Sequence, residues 1–148
     1  MKNLFLLVSL LLIGATDMIA QTQYAVVTSI ESIIPAGLGR SRMIANKEDL
    51  NTANFTTKRT DGTKSDMGTV KREDIKIDNF EETKLLNFFS ISGINFQNIA
   101  SNDAMISAKL NEMAAAGREL AFVTAGVESD SGTTDGEGIF VTRYIFKR

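Results

Sequence analysis

Ser101-Asn102-Asp103-Ala104-Met105-Ile106-Ser107-Ala108-Lys109-Leu110-Asn111-Glu112-Met113-Ala114-Ala115-Ala116-Gly117 is the stretch that decides the fold. Ile106, Leu110 and Met113 recur at helical spacing, joined by Met105 and the alanines at 114–116, so one face of a helix becomes an apolar stripe. Ser101 and Asn102 are both good N-caps, and Asp103 sits where the helix dipole favours negative charge. Gly117, just past the last periodic residue, supplies the left-handed C-terminal cap. The spacing predicts a helix over Asn102–Ala116, and that helix needs a sheet to cover its stripe.

The sheet is read outward from the helix. Leu120 to Val127 is a near-continuous apolar run suited to a strand, and Ile139 to Phe146 alternates well enough to be its partner. The polar, glycine-rich segment Ser129 to Gly138 joins them as a hairpin loop. At the other end, Tyr24 to Ile34 reads as the first strand, with Tyr24, Val26, Ile30 and Ile34 on its core face and Ser29 and Glu31 opposite. It stops at Pro35-Ala36-Gly37-Leu38-Gly39, and Arg40 to Ala45 returns as a second strand with Met43 and Ala45 on one face. The expectation is an α+β domain: an antiparallel sheet of about four strands with one main helix packed on one face.

Two segments fit this scheme less tightly. Residues 46–74 shift to Asn, Thr, Asp, Lys and Gly, a polar excursion that is either a binding loop or a disordered insertion. Ile75-Lys76-Ile77 alternates briefly. Phe80 to Phe96 carries too many apolar residues for a free linker, but its pattern serves a helix and a strand equally.

The N-terminus reads as an address. Lys2 gives a short positive region, Leu4 to Ile13 is apolar apart from Ser9, and Ala20 before Gln21 offers a small residue for cleavage, with Ala15 an alternative. The apolar stretch is too short for a permanent span. We expect a signal peptide at 1–20, a single domain at 21–148, a periplasmic or secreted location, and no integral membrane segment after processing.

Composition excludes much chemistry. The 148 residues contain no cysteine and no histidine, which removes thiol nucleophiles, disulfides, imidazole bases and the commonest transition-metal ligands. Sixteen basic against eighteen acidic residues leave a net charge of −2, so no overall field attracts nucleic acid.

Leu110-Asn111-Glu112-Met113-Ala114-Ala115-Ala116-Gly117-Arg118-Glu119-Leu120, with Val123 after it and Ile145-Phe146-Lys147-Arg148 at the end, resembles a small bacterial family of unknown function. Its members carry Leu-Asn-x-Leu-Ala-x-x-Gly-Trp-Glu-Leu. The longer frame, including Tyr24-Ala25-Val26-Val27, Phe80-Glu81-Glu82-Thr83-Lys84 and Asn98-Ile99-Ala100-Ser101-Asn102-Asp103-Ala104, looks like an uncharacterised exported relative found in Bacteroidota. The resemblance implies a periplasmic or secreted location and a helix packed on an antiparallel sheet, and it implies no activity. One departure stands out: Arg118 replaces the family tryptophan. The ring would cover the helix–strand corner, and arginine compensates in part by laying its methylenes over apolar surface.

Candidate sites are few. Gly37, Gly39, Arg40 and Arg42 suit an anion, with glycine amides exposed beside two guanidiniums, but a hairpin turn followed by a solvated edge is the simpler reading. Asp130, Asp135 and Glu137 offer hard oxygen atoms to calcium, but Gly132 and Thr134 break the EF-hand pattern, so a solvated loop is the simpler reading and no metal site is assigned. Asp78, Glu81 and Glu82 near Lys84 bring to mind a carboxylate hydrolase, yet adjacent acids more often open a helix, and no catalytic residue is assigned. No cofactor is implied. The leading expectation is a non-enzymatic envelope binding or assembly module whose partner is an envelope protein or a small anion. The alternatives are a small-anion sensor built on the Gly37–Arg42 turn and a carboxylate-dependent hydrolase.

Overall fold

In the computed structural model, residues 21–32, 41–59, 61–90, 92–128 and 138–148 are described. Residues 1–20, read above as a signal peptide, and the candidate residues Gly37, Gly39, Arg40, Asp130, Asp135 and Glu137 lie outside them.

Seven strands occur among the described residues: β1 (Tyr24–Ser32), β2 (Arg42–Asn46), β3 (Phe80–Lys84), β4 (Phe89–Ser90), β5 (Gly93–Ile94), β6 (Glu119–Glu128) and β7 (Ile139–Lys147). β4 and β5 form a small ribbon, and the other five make one antiparallel sheet in the order β3-β2-β1-β7-β6. The sheet therefore has five strands, not about four. The added strand is β3, whose sequence Phe80-Glu81-Glu82-Thr83-Lys84 has no apolar face to announce it. As an edge strand it needs none, because the ladder to β2 holds it from Arg42↔Lys84 to Asn46↔Phe80, and Arg42–Glu82 (2.6 Å) and Lys47–Glu81 (3.0 Å) ion pairs bind it further.

A long helix, Phe96–Ala115, covers one face of the sheet. Val27, Met43, Ala45, Leu85 and Phe146 form the buried apolar core, and Ile106, Leu110 and Met113 pack against it with Tyr144. The apolar stripe thus faces the sheet as its spacing requires, although Met105 is left largely exposed. The helix starts earlier than Asn102 because Asn95 is the N-cap, its side chain accepting from the Asn98 N–H at 3.1 Å. No helix among the described residues is long and apolar enough to cross a membrane.

The covered face of β1 is the opposite of the expected one. Val27 and Ser29 are buried, whereas Tyr24 and Val26 are exposed on the far side. The face with Tyr24, Val26 and Ile30 is the more apolar of the two, so hydropathy alone points to the wrong side. Size and hydrogen bonding choose: the helix comes close over small residues, Ser29 and Ala45, and Glu31 is met by a donor from the helix.

That donor is Asn102, which lies one turn and more inside the helix and is 1% exposed. Its amide bonds both backbone groups of Leu86, accepting from the N–H at 2.8 Å and donating to the carbonyl at 2.7 Å, and donates to Glu31 Oε1 at 2.9 Å. Nearby, Ser41 Oγ accepts from the Ser32 N–H and donates to Asn87 Oδ1, while Asn98 Nδ2 donates to the Asn87 carbonyl. Residues 85–87 are thereby strapped to the sheet and to the start of the helix, with Leu85 as their apolar pin.

The excursion after β2 is mostly exposed and holds short helical turns at Thr52–Phe55, Asp66–Thr69 and Arg72–Ile75. Its ends meet at the base of the β2–β3 pair, where the Lys47 N–H reaches the Asn79 carbonyl.

Candidate functional site

A cavity lies at the other end of the helix. The sequence builds it from the cap outward. Gly117 takes φ +75°, its N–H bonds the Ala114 carbonyl, and the Arg118 N–H bonds the Met113 carbonyl at 3.0 Å. That double bond pattern is a Schellman motif, in which the residue after the glycine is set over the residue one turn back. Arg118 and Met113 accordingly line the same cavity, of about 430 Å³, together with β1 at Ala25 to Val27, β2 at Ala45, Lys109 and the loop start Lys47-Glu48-Asp49. The loop is fixed at that rim by Asn46, whose side chain bonds both the N–H and the carbonyl of Glu48.

The charges divide into paired and unpaired. Lys109, only 8% exposed, reaches Glu112 at 2.7 Å and Glu81 at 3.2 Å, and Glu81 also takes Lys47. Burial pulls the Lys109 ammonium down, but the bonds from Glu112 and Glu81 outweigh it and hold it above the ordinary lysine value. Glu81 is held below the usual carboxylate range by its bonds to Lys47 and Lys109. A lysine so protonated offers no lone pair for base or nucleophile chemistry. Arg118 is different: it makes no ion pair among the described residues, and its Nη1 is buried without a hydrogen-bond partner. A guanidinium without an ion pair in a cavity of mixed polar and apolar lining suits a two-point bond to a carboxylate or similar planar anion. The volume lies within the range of small-molecule sites.

The residues singled out from sequence are not brought together here. Arg42 stands on β2, its guanidinium occupied by Glu82 at 2.6 Å, beside a separate cavity of about 260 Å³ that Ser41 and Thr83 also line. Gly37, Gly39 and Arg40 fall outside the described residues. Glu81 and Glu82 are neighbours on a strand and so point to opposite faces of the sheet, Glu81 in register with Ala45 and Glu82 with Ile44. Both nonetheless border one cavity of about 320 Å³ with Lys109 and Glu112, where Glu81 is held by Lys47 and Lys109 and Glu82 by Arg42. The Lys109–Glu81 contact was invisible in the sequence, since it joins the middle of the helix to a strand that patterning does not reveal.

Comparison with protein-family models, with curated proteins and with solved structures returns no match for this chain. The functional reading therefore stands on the geometry.

Proposed function

We propose that the chain is a non-enzymatic binding module of the bacterial envelope that takes a small carboxylate-bearing ligand in the cavity at the helix C-terminus. The observation that carries this reading is Arg118, a cation with no ion pair among the described residues, in a cavity whose two lysines are already paired and whose lining also includes Glu48 and Asp49. Ala25, Val27, Ala45 and Met113 line the same space and suit the carbon skeleton of an organic acid, while Arg118 takes the carboxylate. The envelope location rests on the leader-like segment at 1–20 and on the resemblance to exported proteins.

Two observations weigh against the alternatives. The three acids that share the cavity beside the helix, Glu81, Glu82 and Glu112, are each held in an ion pair, to Lys47 and Lys109, to Arg42 and to Lys109, which weighs against a free carboxylate pair for hydrolysis. Arg42 is engaged by Glu82, which weakens an anion site built on the Gly37–Arg42 turn.

A thermal-shift panel of acetate, succinate, benzoate and inorganic phosphate tests the proposal. A ligand present at about 100 times its Kd adds about 2.7 kcal/mol to stability, which is readily seen as a rise in Tm. The expected result is a rise with at least one carboxylate that Arg118→Gln abolishes and Arg42→Gln leaves intact. A panel with no shift, or a shift that survives Arg118→Gln, overturns it.

A further inference from the structure

The cavity at the helix C-terminus holds acids as well as Arg118. Glu48 and Asp49 line it, and neither makes an ion pair among the described residues. The two lysines of the cavity do not serve them, because Lys47 is taken by Glu81 and Lys109 by Glu81 and Glu112. Glu48 is half-buried, and the Asn46 side chain fixes its backbone, accepting from its N–H at 3.1 Å and donating to its carbonyl at 2.6 Å. The acid is held at the rim by these bonds.

Arg118 does not supply the counter-charge either. It immediately precedes β6, whereas Glu48 follows β2 by two residues, and the strand order β2-β1-β7-β6 puts three spacings, about 14 Å, between those strands. The register brings both to the same end of the sheet, since Glu119 pairs with Lys147, Lys147 with Tyr24, and Ala45 with Val27. One cavity therefore has a cationic side, where Arg118 Nη1 is buried without a partner, and an anionic side at Glu48 and Asp49. Ala25 and Val27 of β1, the strand between, line the same space. A half-buried charge left unpaired is costly, and a ligand of opposite charge removes that cost.

We propose that the ligand is a zwitterion with its charges at opposite ends, a dipeptide with both termini free, whose carboxylate meets Arg118 and whose ammonium meets Glu48 with Asp49 beside it. This rests on the reading of Arg118 as the carboxylate-binding group and adds the second pole of the site. The guanidinium offers the carboxylate a two-point bond, and an ammonium, a compact cation with three donors, suits two neighbouring acids. Length selects the peptide. Two extended residues span up to about 7 Å, so a dipeptide carries its charges toward both sides of the cavity. An α-amino acid holds both charges on one carbon and serves one side only. A dicarboxylate brings its second carboxylate toward Glu48 and Asp49, where like charges repel.

Calorimetric titration of the purified protein with alanyl-alanine, with N-propionyl-alanine, which has the same skeleton without the ammonium, and with free alanine tests the proposal. Alanyl-alanine is expected to bind about five- to tenfold more tightly than N-propionyl-alanine, the worth of one partly buried ion pair, and more tightly than alanine. Glu48→Gln combined with Asp49→Asn is expected to erase the preference for the free amine, and Arg118→Gln to abolish binding of both two-residue ligands. Should the acid variant fail to fold, the comparison of the two ligands on the parent protein still decides. N-propionyl-alanine or alanine binding as tightly as alanyl-alanine, or a preference for the free amine that survives in the acid variant, overturns the inference and leaves Arg118 as a plain carboxylate site. Failure of all three ligands, together with acetate, succinate and benzoate, overturns both readings at once.

Discussion

Asn102→Ala tests whether the buried amide holds the strap at 85–87 to the helix. The substitution removes two neutral hydrogen bonds, to the Leu86 N–H at 2.8 Å and the Leu86 carbonyl at 2.7 Å, and one to the Glu31 carboxylate at 2.9 Å. At about 1 kcal/mol for each neutral bond and about 1.5–2 for the bond to a charged group, the loss is about 3.5–4 kcal/mol. Alanine returns about 0.7 kcal/mol through its better helix propensity. The net cost of about 3 kcal/mol corresponds to a fall in Tm of about 10–12 °C for a domain of this size. Differential scanning calorimetry with urea unfolding as a second measure reads it. Asn102→Asp should cost more, because it cannot donate to the Leu86 carbonyl and adds a carboxylate beside Glu31. A melting temperature for Asn102→Ala within about 2 °C of the parent would refute the reasoning, since the strap would then be held by Leu85 and Asn87 alone.

Ser29→Ala should stabilise: Ser29 is fully buried and its Oγ has no partner, so removing it recovers about 1 kcal/mol of desolvation, visible as a higher urea midpoint at unchanged slope. Glu31 is lifted above its ordinary value of 4.5 by burial, with the Asn102 bond opposing and Asp103 adding to the rise. An acid with a raised folded pKa holds its proton more tightly in the folded state, so its stabilising contribution is complete below about 4.5 and is lost as pH rises through the folded value. Glu31→Gln should therefore melt about 1–3 °C above the parent at pH 7, screening by solvent keeping the gain small, and match it near pH 3.5. Arg118→Trp should fill part of the 430 Å³ cavity beside Met113. Covering roughly 60–80 Å² adds about 1.5–2 kcal/mol before ordering costs, so the melting temperature should rise by several degrees while carboxylate binding disappears; a neutral or lower Tm would show that the corner has no room for the ring.

The helix was legible because its stripe is one-sided and its glycine cap has a single use. Its start was not, because Asn95 and Asn102 are both asparagines near a helix N-terminus, and only the fold shows that the first caps and the second bonds a distant backbone. The face of β1 was misread for a related reason. Val26 and Val27 are adjacent and equally apolar, and what turns Val27 inward is the small volume of Ser29 and the reach of Asn102 to Glu31, neither of which is a local property. β3 escaped notice because an edge strand bound by ion pairs has no hydrophobic period. Of the candidate site, Arg118 drew notice in the sequence, but the pairing of Lys109 with Glu81 and Glu112, beside which Arg118 has no ion pair among the described residues, is a product of tertiary contact.

These contacts give the two ends of one helix different work. Near its start, the side chains of Asn95, Asn98 and Asn102 fix it to its own cap, to the strap and to Glu31. At its end, the left-handed Gly117 sets Arg118 over Met113 beside open volume, and Lys109 ties the helix to β3 through Glu81. Asn102 lies about 20 Å along the axis from the last helical residue, Ala115, and sites separated by more than about 10 Å without shared partners act additively within about 0.5 kcal/mol. Asn102→Ala combined with Arg118→Trp should thus show the sum of the two single effects, with the loss at one end partly offset by the gain at the other. Coupling beyond that margin would mean that the helix shifts as a rigid rod when the clasp is cut. Ligand affinity at the cavity would then fall in Asn102→Ala even though Arg118 is intact. An unchanged affinity in Asn102→Ala, beside a melting temperature lowered by about 10 °C, is the result that separates anchoring at the start of the helix from binding at its end.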